Sequence, residues 1–439
     1  MNILLINSPV RLDAEPNCIP YGLAIIASVL RHSGHDVDLY DINGLRHGRD
    51  RVLAELTGKT WDVAGVSGLI TTFSFQEWLI PALKKIHPHG VVVSGGGLAT
   101  SNPDLLFRQT PVDIAVQGEG EKTFPGVLEA LKTHGDLGRV PGLACRRGHE
   151  IHMNPPVENV SCLDDLPLPA WDLLPMDIYL ANPIWGNTAN NSSGFREDVR
   201  TSRSMNIISS RGCPFSCNYC YHLFGRSTYR FRSVAGIIHE IELLIHRYGT
   251  DFIGFVDDNM MADQDRLMAF CREMKQRKLP VTWGCHGRVS SAHPQVLSAM
   301  AEAGCVWIGY GIESGSPAIL RAMNKKASVQ QAEAAIVQTR QAGIYPNTTF
   351  IFGYPGESLK TIQETVDFKR KLGLNCGSFF ATPYPGTPLY RQIRPMIPDE
   401  ETFIRSLGNA TEFSINLTDF STPDLFELKR KMDANIDVI

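Results

Sequence analysis

Three cysteines, Cys213, Cys217 and Cys220, stand close together in the middle of the chain with the spacing C-x3-C-x2-C. Thiolates are soft ligands that suit iron–sulfur clusters, and three of them this close can bind three irons of a 4Fe–4S cube. The fourth iron then has no protein ligand and can take an external chelating molecule. The spacing therefore predicts catalysis at an open iron rather than electron storage alone.

A zinc site is the main alternative for these thiols. Structural zinc is usually held by four ligands, with a second Cys or His pair at a recognisable distance from the first. His222 lies close enough in the sequence to be a rival fourth ligand. A buried loop that simply holds three unligated thiols is the other alternative. The spacing favours the cluster over both.

The composition indicates an ordinary globular chain. It has 439 residues, enough for two or three domains, of which 43% are hydrophobic and 20% charged. The net charge of −4 gives no reason to expect nucleic acid or an anionic membrane as partner. No apolar run is long enough for a membrane helix, and no export signal is visible at the start. We therefore expect a cytoplasmic protein whose ten cysteines are ligands or buried small side chains rather than disulfides.

Residues 1–135 alternate short β-branched runs with helical patterns, which predicts a doubly wound parallel sheet covered on both faces. Small residues follow the predicted strands, including Ser67 and the run Gly95, Gly96 and Gly97. Ligands of open α/β sheets bind beyond the carboxyl ends of the strands. This edge is therefore predicted to bind a ligand, although the glycines match neither a dinucleotide nor a phosphate-binding motif.

Residues 204–390 alternate strands and helices in the order of a partial α/β barrel. The first predicted strand, 206–210, delivers the cysteine loop at its carboxyl end, where active sites of such barrels lie. Polar residues also follow later strands: Asp257 and Asp258 after 252–256, and Glu313 with Ser314 after 306–312. Adjacent carboxylates at such an edge can bind a metal, a polar substrate or an amine.

These elements together resemble the radical SAM superfamily. The resemblance is carried by the cysteine run and by three later motifs, namely G-I-E-S-G at 311–315, G-Y-P-G-E at 353–357 and T-P-Y-P-G-T-P at 382–388. It implies that the amino and carboxylate groups of S-adenosylmethionine (SAM) chelate the open iron. One electron, supplied by an external donor such as flavodoxin or ferredoxin, then cleaves SAM to a 5′-deoxyadenosyl radical.

The resemblance also implies roles for single residues. Asp257, slightly preferred over Asp258, is expected to meet the methionyl amino group of SAM. Glu313, followed by Ser314, is expected to approach the ribose hydroxyls. The resemblance further places Tyr219 near the adenine and the turn that contains Gly356 against SAM.

Three other residues are candidates by position alone. Tyr221 and His222 follow the last cysteine directly and are interpreted as hydrogen or proton donors to the substrate. Cys285, at a strand end, is a candidate hydrogen donor to a substrate radical, with core packing as the alternative.

The first domain resembles the cobalamin-binding domain that precedes the barrel in one large radical SAM subgroup. The resemblance rests on the glycines at 95–97, on Gly118 and Glu119 in Q-G-E-G-E, on P-Y-G-L-A at 20–24 and on N-P-D at 102–104. The chain has no D-x-H-x-x-G sequence to supply an axial histidine, and Leu98 stands where many relatives have a histidine. The resemblance implies cobalamin as a possible cofactor, with an empty domain as the alternative.

The remaining segments are assigned as connections. Residues 136–203, punctuated by prolines, are predicted to connect the domains, with a loop without periodicity from 182 to 203. Residues 391–439 are expected to form a short tail with one helix at 422–435.

Two enzymatic functions follow from these patterns. In the first, cobalamin carries a methyl group from SAM to a carbon of a small biosynthetic intermediate. In the second, the first domain is empty and the radical drives dehydration, rearrangement, carbon–carbon bond formation or transfer of another SAM fragment. A non-catalytic cluster or cobalamin carrier is a third class, which would not need the SAM motifs. No basic stripe with interleaved aromatic residues predicts nucleic acid, so the expected substrate is a small molecule.

Overall fold

The computed structural model describes residues 1–12, 15–148, 150–182, 203–223, 225, 228–408 and 411–439. They form two compact units. The first unit comprises Met1–Asn182 and Ile397–Gly408. The second comprises the other described residues, 203–396 and 411–439.

The first unit is built on a seven-stranded sheet with the order β2-β1-β3-β4-β5-β6-β7. The strands are β1 (Asn2–Asn7), β2 (Asp36–Asp41), β3 (Val63–Ser67), β4 (Val91–Gly95), β5 (Ile114–Val116), β6 (Leu143–Arg147) and β7 (Glu150–Met153). The first five strands pair in parallel, whereas β6 and β7 are antiparallel. The central strands are rich in Val, Ile and Leu because helices cover both faces of the sheet.

The helices of this part of the chain follow the strands in alternation. They are α1 (Tyr21–His32), α2 (Ile42–Leu45), α3 (Arg49–Thr57), α4 (Phe73–Ile86), α5 (Gly97–Ser101), α6 (Pro103–Gln109), α7 (Gly120–Thr133) and α8 (Met176–Ala181). Helix α5 begins directly after β4, so the short turn through Gly96 lies at the carboxyl edge of the sheet. The doubly wound sheet predicted from the sequence is confirmed.

The second unit contains a six-stranded parallel half-barrel with the order β15-β14-β13-β12-β11-β8, and a separate two-stranded antiparallel ribbon of β9 and β10. The strands are β8 (Ser204–Ile207), β9 (Ser210–Arg211), β10 (Arg230–Phe231), β11 (Phe252–Phe255), β12 (Thr282–Gly287), β13 (Cys305–Glu313), β14 (Tyr345–Phe352) and β15 (Ser378–Phe380). The predicted partial α/β barrel is thereby confirmed.

Helices connect the barrel strands and complete the chain. They are α9 (Val234–Tyr248), α10 (Gln264–Arg277), α11 (Pro294–Glu302), α12 (Pro317–Ala322), α13 (Val329–Gln341), α14 (Leu359–Lys371), α15 (Pro388–Ile393), α16 (Glu400–Ser406) and α17 (Thr422–Asp433). Helix α17 packs in the second unit, where Leu425 and Met432 join Phe352 in one buried cluster. Helix α16 belongs to the first unit.

The unit boundaries lie in different places from those expected. The segment expected to be a connector adds β6, β7 and α8 to the first unit, because an antiparallel hairpin can extend the sheet without a crossover helix. The expected tail is divided between the two units. In the first unit, Arg405 of α16 pairs with Glu77 of α4 at 2.7 Å, and Glu401 accepts a hydrogen bond from Gln109 at 2.8 Å.

The two faces of the barrel strands have different environments. On the outer face, Trp283 packs edge-on against Phe255 and Phe270, and the hydroxyl of Tyr310 bonds that of Thr339 on α13 at 3.0 Å. Residues that alternate with these face the concave interior. That face includes His286, which lies directly opposite Gly309 in the strand register.

Within the described residues, no helix combines the length and the apolar character that a membrane span requires.

The contact between β13 and α14 requires a glycine at position 315. A Cβ on Gly315 would lie 2.7 Å from the backbone of both Glu364 and Thr365, which cannot move without displacing α14. We expect Gly315→Ala to destabilise the protein by about 2 kcal/mol, the range found for overpacked cores. Thermal unfolding of the cofactor-free chain measures this.

Gly377→Ala is the matched control in the same unit. Its Cβ would meet only an oxygen of Asp433 at 3.9 Å, an ordinary contact. Equal melting temperatures for the two variants would contradict the close approach of α14 to β13.

Candidate active site

The cysteine loop is held at both ends by backbone contacts. It runs between β9 and β10, whose pairing brings Arg211 opposite Arg230. Gly212 has φ 82°, and a Cβ there would lie 2.5 Å from the carbonyl oxygen of Thr228, so only glycine fits. Further along, the backbone N–H of Asn218 donates to the carbonyl of Met323 at 2.9 Å. The loop is therefore fixed to the end of α12 as well as to the ribbon.

The three cysteines lie in one partly buried loop. Cys217 is buried, with 5% of its surface exposed, and Cys213 and Cys220 are partly exposed. Burial, together with the neighbouring Asp258, Cys217 and Cys213, raises the pKa of the Cys220 thiol to about 12. Burial also raises the pKa of Cys213. Iron must therefore displace protons from these thiols when a cluster is assembled.

The described part of the chain contains no group of side chains suited to bind a single metal ion. Nowhere among these residues do three or more His, Cys, Asp or Glu side chains group as ligands of one ion. A 4Fe–4S cube does not need such convergence, because each thiolate binds a different iron.

Glu313 lies at the carboxyl end of β13, beside the cysteine loop. Its Oε1 atom accepts hydrogen bonds from the Tyr219 hydroxyl at 2.8 Å and from the Lys325 ammonium at 2.8 Å. Lys325 also donates to the Tyr219 hydroxyl at 3.1 Å. Oε2 has no hydrogen-bond partner among the described residues. Oε1 therefore connects the end of β13 to Tyr219 and Lys325, whereas Oε2 is available to a hydrogen-bond donor of a ligand.

The backbone at Glu313 departs from regular strand geometry. Its φ is 69°, in the left-handed region that L-residues rarely adopt, and the pairing with β14 is irregular between Gly311 and Glu313. A Cβ on Gly311 would lie 2.1 Å from the Glu313 carboxylate, so the side chain can occupy this position only above a glycine. Such local strain is typical of functional sites.

Asp257 and Asp258 have different environments. Asp257 is buried and accepts three hydrogen bonds, from the Ser209 backbone N–H at 2.7 Å, the Ser209 hydroxyl and the Ser210 hydroxyl at 2.7 Å. Burial raises its pKa, an effect that the two serines partly offset. Asp258 is exposed and accepts from the backbone N–H of Gly212. The oxygens of Asp257 thus already accept hydrogen bonds within the protein, and which of the two carboxylates meets SAM stays a prediction.

Arg288 follows β12 and contacts the cysteine loop directly. Its Nη1 atom donates to the sulfur of Cys217 at 3.4 Å, and Nη2 donates to the carbonyl oxygen of Lys325. The guanidinium stacks on the Phe215 ring, 3.8 Å from its centroid. Two residues that the sequence patterns did not single out, Arg288 and Lys325, thus contact the site.

The turn at 353–357 is held by its own last residue. The backbone N–H of Gly353 donates to the Glu357 carboxylate at 2.6 Å. Gly356 has φ 89°, and the space beside its Cα is open, since a Cβ there would have no atom within 4 Å. Because Glu357 is buried, its pKa is raised to about 8, even though the backbone N–H groups of Gly353 and Tyr354 lower it. Gly356 can thus lie close to a ligand, while Glu357 is structural.

Two further candidates have structural surroundings. The hydroxyl of Ser314 bonds Thr365 at 3.2 Å and accepts from the Ser316 backbone N–H, so it joins β13 to α14, and its contact with SAM stays a prediction. Cys285 is fully buried on the outer face of β12, near Cys305 and Cys271. These surroundings agree with the core-packing alternative for Cys285, and its role as a hydrogen donor to a substrate radical stays a prediction.

Tyr221 and His222 lie at the end of the cysteine loop and are both partly exposed. The sulfur of Cys220 donates to the carbonyl oxygen of Tyr221 at 3.9 Å, and the carbonyl of His222 accepts from Gly225 at 3.3 Å. Their roles toward a substrate stay predictions.

The second candidate site is the carboxyl edge of the sheet in the first unit. Ser67 ends β3 and Gly95 ends β4, where a Cβ on Gly95 would meet no atom within 4 Å. Gly96 has φ 86° and allows no side chain, because a Cβ would lie 2.8 Å from the carbonyl of Gly68. The buried hydroxyl of Ser8, at the end of β1, has no hydrogen-bond partner among the described residues. This edge is therefore open at Gly95, lined by small residues, and carries one unpaired polar group at Ser8.

Other candidates of the first unit divide between open and buried positions. Gly118 has φ 72°, and a Cβ there would meet only Val157, at 4.0 Å, while Gly97 begins α5. Glu119 is 2% exposed and its carboxylate accepts from the Val160 backbone N–H at 2.5 Å. Glu119 therefore fixes the segment around Val160, and its contact with a cofactor stays a prediction. Leu98 is fully buried, so it does not face the edge.

Comparison with known proteins agrees with this division of the chain. Residues 7–128 match the model of the B12 binding domain, and residues 207–368 match that of the radical SAM superfamily. An uncharacterized methyltransferase of Pyrococcus horikoshii is 32% identical over 379 residues, which cover 84% of this chain and 77% of the relative.

More distant relatives have named reactions. The anaerobic magnesium-protoporphyrin IX monomethyl ester cyclase of Cereibacter sphaeroides is 26% identical, over 86% of this chain and 61% of its own length. The cytidylyl-2-hydroxyethylphosphonate methyltransferase of Streptomyces wedmorensis is 26% identical, over 91% and 83% respectively.

Two solved structures share the fold. The radical SAM methyltransferase TsrM from Kitasatospora setae, with tryptophan substrate and a SAM analog bound, superposes with a TM-score of 0.73 at 20% identity, covering 90% of this chain and 76% of TsrM. The cobalamin-dependent SAM radical enzyme OxsB, with aqua-cobalamin bound, gives 0.72 at 18%, covering 95% and 58%.

The half-barrel, the three-cysteine loop and these matches define a radical SAM enzyme. Within that superfamily the chain belongs to the group that carries a B12-binding domain ahead of the barrel. Membership implies a 4Fe–4S cluster and SAM as cofactors, and the first unit supports cobalamin as a possible third.

The two adjacent aspartates can be separated by substitution. We expect Asp257→Asn to destabilise the protein by about 2 kcal/mol, because one of its two accepting oxygens becomes an amide NH2 group that cannot accept from the Ser209 or Ser210 donors. Asp258→Asn should leave stability unchanged and weaken SAM binding about tenfold. Thermal unfolding and anaerobic SAM titration of both variants measure these effects. Wild-type SAM affinity in Asp258→Asn would contradict this assignment.

Glu357 makes stability depend on pH. Between pH 4.5 and about 8 the unfolded chain releases the Glu357 proton while the folded chain retains it, so stability falls as pH rises across that window. Glu357→Gln, which resembles the protonated acid, should equal wild type at pH 4.5. At pH 8 it should be the more stable by a few kcal/mol, because each pH unit across the window contributes about 1.4 kcal/mol. Urea unfolding at several pH values tests this.

Glu427→Gln serves as the control for this measurement. Glu427 is exposed on α17, and the hydrogen bond from Arg430 lowers its pKa, so its titration lies outside the window. If the difference in stability between wild type and Glu357→Gln is the same at pH 4.5 and at pH 8, burial does not hold the Glu357 carboxyl neutral.

Proposed function

We propose that this protein is a cobalamin-dependent radical SAM methyltransferase that methylates a carbon atom of a small biosynthetic intermediate. One observation carries the proposal: the same chain contains a three-cysteine loop and a glycine-lined sheet edge in a B12-binding domain. Beside the loop lies Glu313, which has one carboxylate oxygen without a hydrogen-bond partner among the described residues. When bound, the cluster and SAM supply a 5′-deoxyadenosyl radical, and cobalamin supplies a carrier for the methyl group.

In this proposal the second unit binds the cluster and SAM. Cys213, Cys217 and Cys220 each bind one iron. Asp258 accepts hydrogen bonds from the methionyl amino group, because its carboxylate is exposed and close to the cysteines. Glu313 accepts a ribose hydroxyl through Oε2, while Lys325 and Tyr219 keep its other oxygen in place.

SAM also needs room along its length. The open space beside Gly356 lets the backbone of the 353–357 turn approach the cofactor. Tyr219, whose hydroxyl is fixed by Glu313, would present its ring beside the adenine. Tyr221 and His222 would then lie on the substrate side of the cysteine loop, as the sequence predicts.

The first unit would hold cobalamin at the carboxyl edge of its sheet. Ser67, Gly95, Gly96 and Gly118 would contact the corrin through small side chains and backbone, since larger residues would fill the space. The unpartnered Ser8 hydroxyl supports a polar ligand at this edge. The chain has no D-x-H-x-x-G sequence, so that motif would supply no histidine to cobalamin here.

A cobalamin-independent radical reaction is the second candidate. It is favoured by the likeness to the monomethyl ester cyclase, whose name describes ring formation rather than methylation. In that case the radical would act alone, and carbon–carbon bond formation would be the expected outcome. The chain spans 61% of the cyclase, so the cyclase reaction itself is not carried over.

The partners follow from the chemistry. The cluster must receive one electron per cleavage event from an external low-potential donor such as flavodoxin or ferredoxin. All ten cysteines are free, which suits a reducing compartment, and we therefore place the protein in the cytoplasm.

The test uses the full chain purified and reconstituted anaerobically with cobalamin. We expect one 4Fe–4S cluster and one corrin per chain, by iron, sulfide and optical analysis. Gly95→Leu should lower corrin affinity at least tenfold with iron content unchanged, because its Cβ would meet no protein atom within 4 Å and its side chain would occupy the ligand edge.

Gly58→Leu is the matched control, at the end of α3, where its Cβ would lie 3.7 Å from the nearest atom. It should bind corrin like wild type. A wild-type chain with an intact cluster but no corrin would overturn the methyl-transfer proposal and favour the cobalamin-independent reaction. Zinc in place of iron would overturn both.

A further inference from the structure

Arg288 is a buried cation that contacts a cluster cysteine. Only 8% of its surface is exposed. Three contacts fix its guanidinium: the sulfur of Cys217 at 3.4 Å, the carbonyl oxygen of Lys325, and the ring of Phe215 at 3.8 Å. The residue is thus locked against the cysteine loop and not extended into solvent.

The described part of the chain gives this cation no acidic partner. Among the described residues, no Asp or Glu forms an ion pair with Arg288. A buried charge without a counter-ion is costly, and such charges are ordinarily paired. The anion that the geometry offers is the thiolate of Cys217, which exists once iron is bound. The position of Arg288 therefore makes sense beside a negatively charged cluster.

We propose that Arg288 is a positioning residue that sets the reduction potential of the 4Fe–4S cluster. Its charge-assisted N–H···S hydrogen bond reaches a ligand sulfur, and hydrogen bonds to ligand sulfurs together with net charge tune the potentials of such clusters. Reduction adds one electron to the cluster and so increases its negative charge. A fixed cation stabilises the reduced form, and Arg288 therefore raises the potential and eases reduction by the external donor.

The contacts require arginine rather than lysine. The planar guanidinium donates through Nη1 and Nη2 in two directions while its face stacks on Phe215. A lysine ammonium keeps the charge but cannot make the three contacts together. The inference rests on the proposed ligation of the cluster by the three cysteines.

The test is a redox titration of the full-length, anaerobically reconstituted protein without SAM, followed by electron paramagnetic resonance of the reduced cluster. Arg288→Gln keeps an N–H donor and removes the charge. We expect it to make one-electron reduction about tenfold less favourable, a fall of about 59 mV in midpoint potential. Arg288→Lys should shift the potential in the same direction by less than half as much.

Arg277→Gln is the control. Arg277 is exposed on α10 and pairs with Glu242 and Glu273, so its loss should leave the potential unchanged. Iron and sulfide contents are measured for every variant.

Each outcome is decisive. Midpoint potentials equal to wild type in Arg288→Gln, at full iron content, would overturn the proposal. Folded Arg288→Gln and Arg288→Lys variants that both fail to bind iron would also overturn it, since Arg288 would then only hold the loop. A wild-type protein without a 4Fe–4S signal would instead refute the proposed ligation, which distinguishes the two failures.

Discussion

The buried ion pair between Lys325 and Glu313 is the interaction on which the barrel site depends. Both side chains are at most 9% exposed, and their atoms lie 2.8 Å apart. Removing one partner of such a pair leaves an uncompensated buried charge, which typically costs about 3–5 kcal/mol. The pair therefore makes the segment after α12 and the end of β13 one rigid piece.

Two further contacts extend this piece to the cysteine loop. The side chain of Lys325 holds the Tyr219 hydroxyl, two residues after Cys217, and its backbone carbonyl holds Arg288. Asn324, the preceding residue, donates to the carbonyl of Ser216 at 2.9 Å. The cysteine loop, which has little regular structure of its own, thus receives its shape from a short segment more than a hundred residues away in sequence.

The sequence predicted the elements well because their signals are local. Strands of β-branched residues followed by glycines and serines led to the sheet of the first unit, and the cysteine spacing led to the site. The sequence predicted the roles of side chains less well, because these depend on which face of a strand a residue lies on and on contacts with residues distant in sequence. Asp257 and Asp258 are adjacent in sequence, yet the Asp257 carboxylate accepts hydrogen bonds from Ser209 and Ser210, whereas Asp258 is exposed. Cys285 lies at the expected strand end but on the opposite face.

Residues that act through distant contacts gave even weaker signals. Lys325 lies in a plain run of polar residues after α12, and nothing near it in sequence indicates Glu313 as its partner. Arg288 follows a barrel strand, so the rule about carboxyl ends offered a clue that its buried environment completes. The end of the first unit was misplaced for a similar reason, because β6 and β7 join its sheet by antiparallel pairing.

The left-handed backbone at Glu313 limits which substitutions this position can accept during evolution. Glycine or asparagine would relax a φ of 69°, but neither side chain reaches Lys325 as glutamate does. Residues long enough to reach Lys325 retain the backbone penalty. No single substitution at this position both relaxes the backbone and keeps the contact with Lys325. Stability gained elsewhere in the barrel must therefore compensate for the strained backbone.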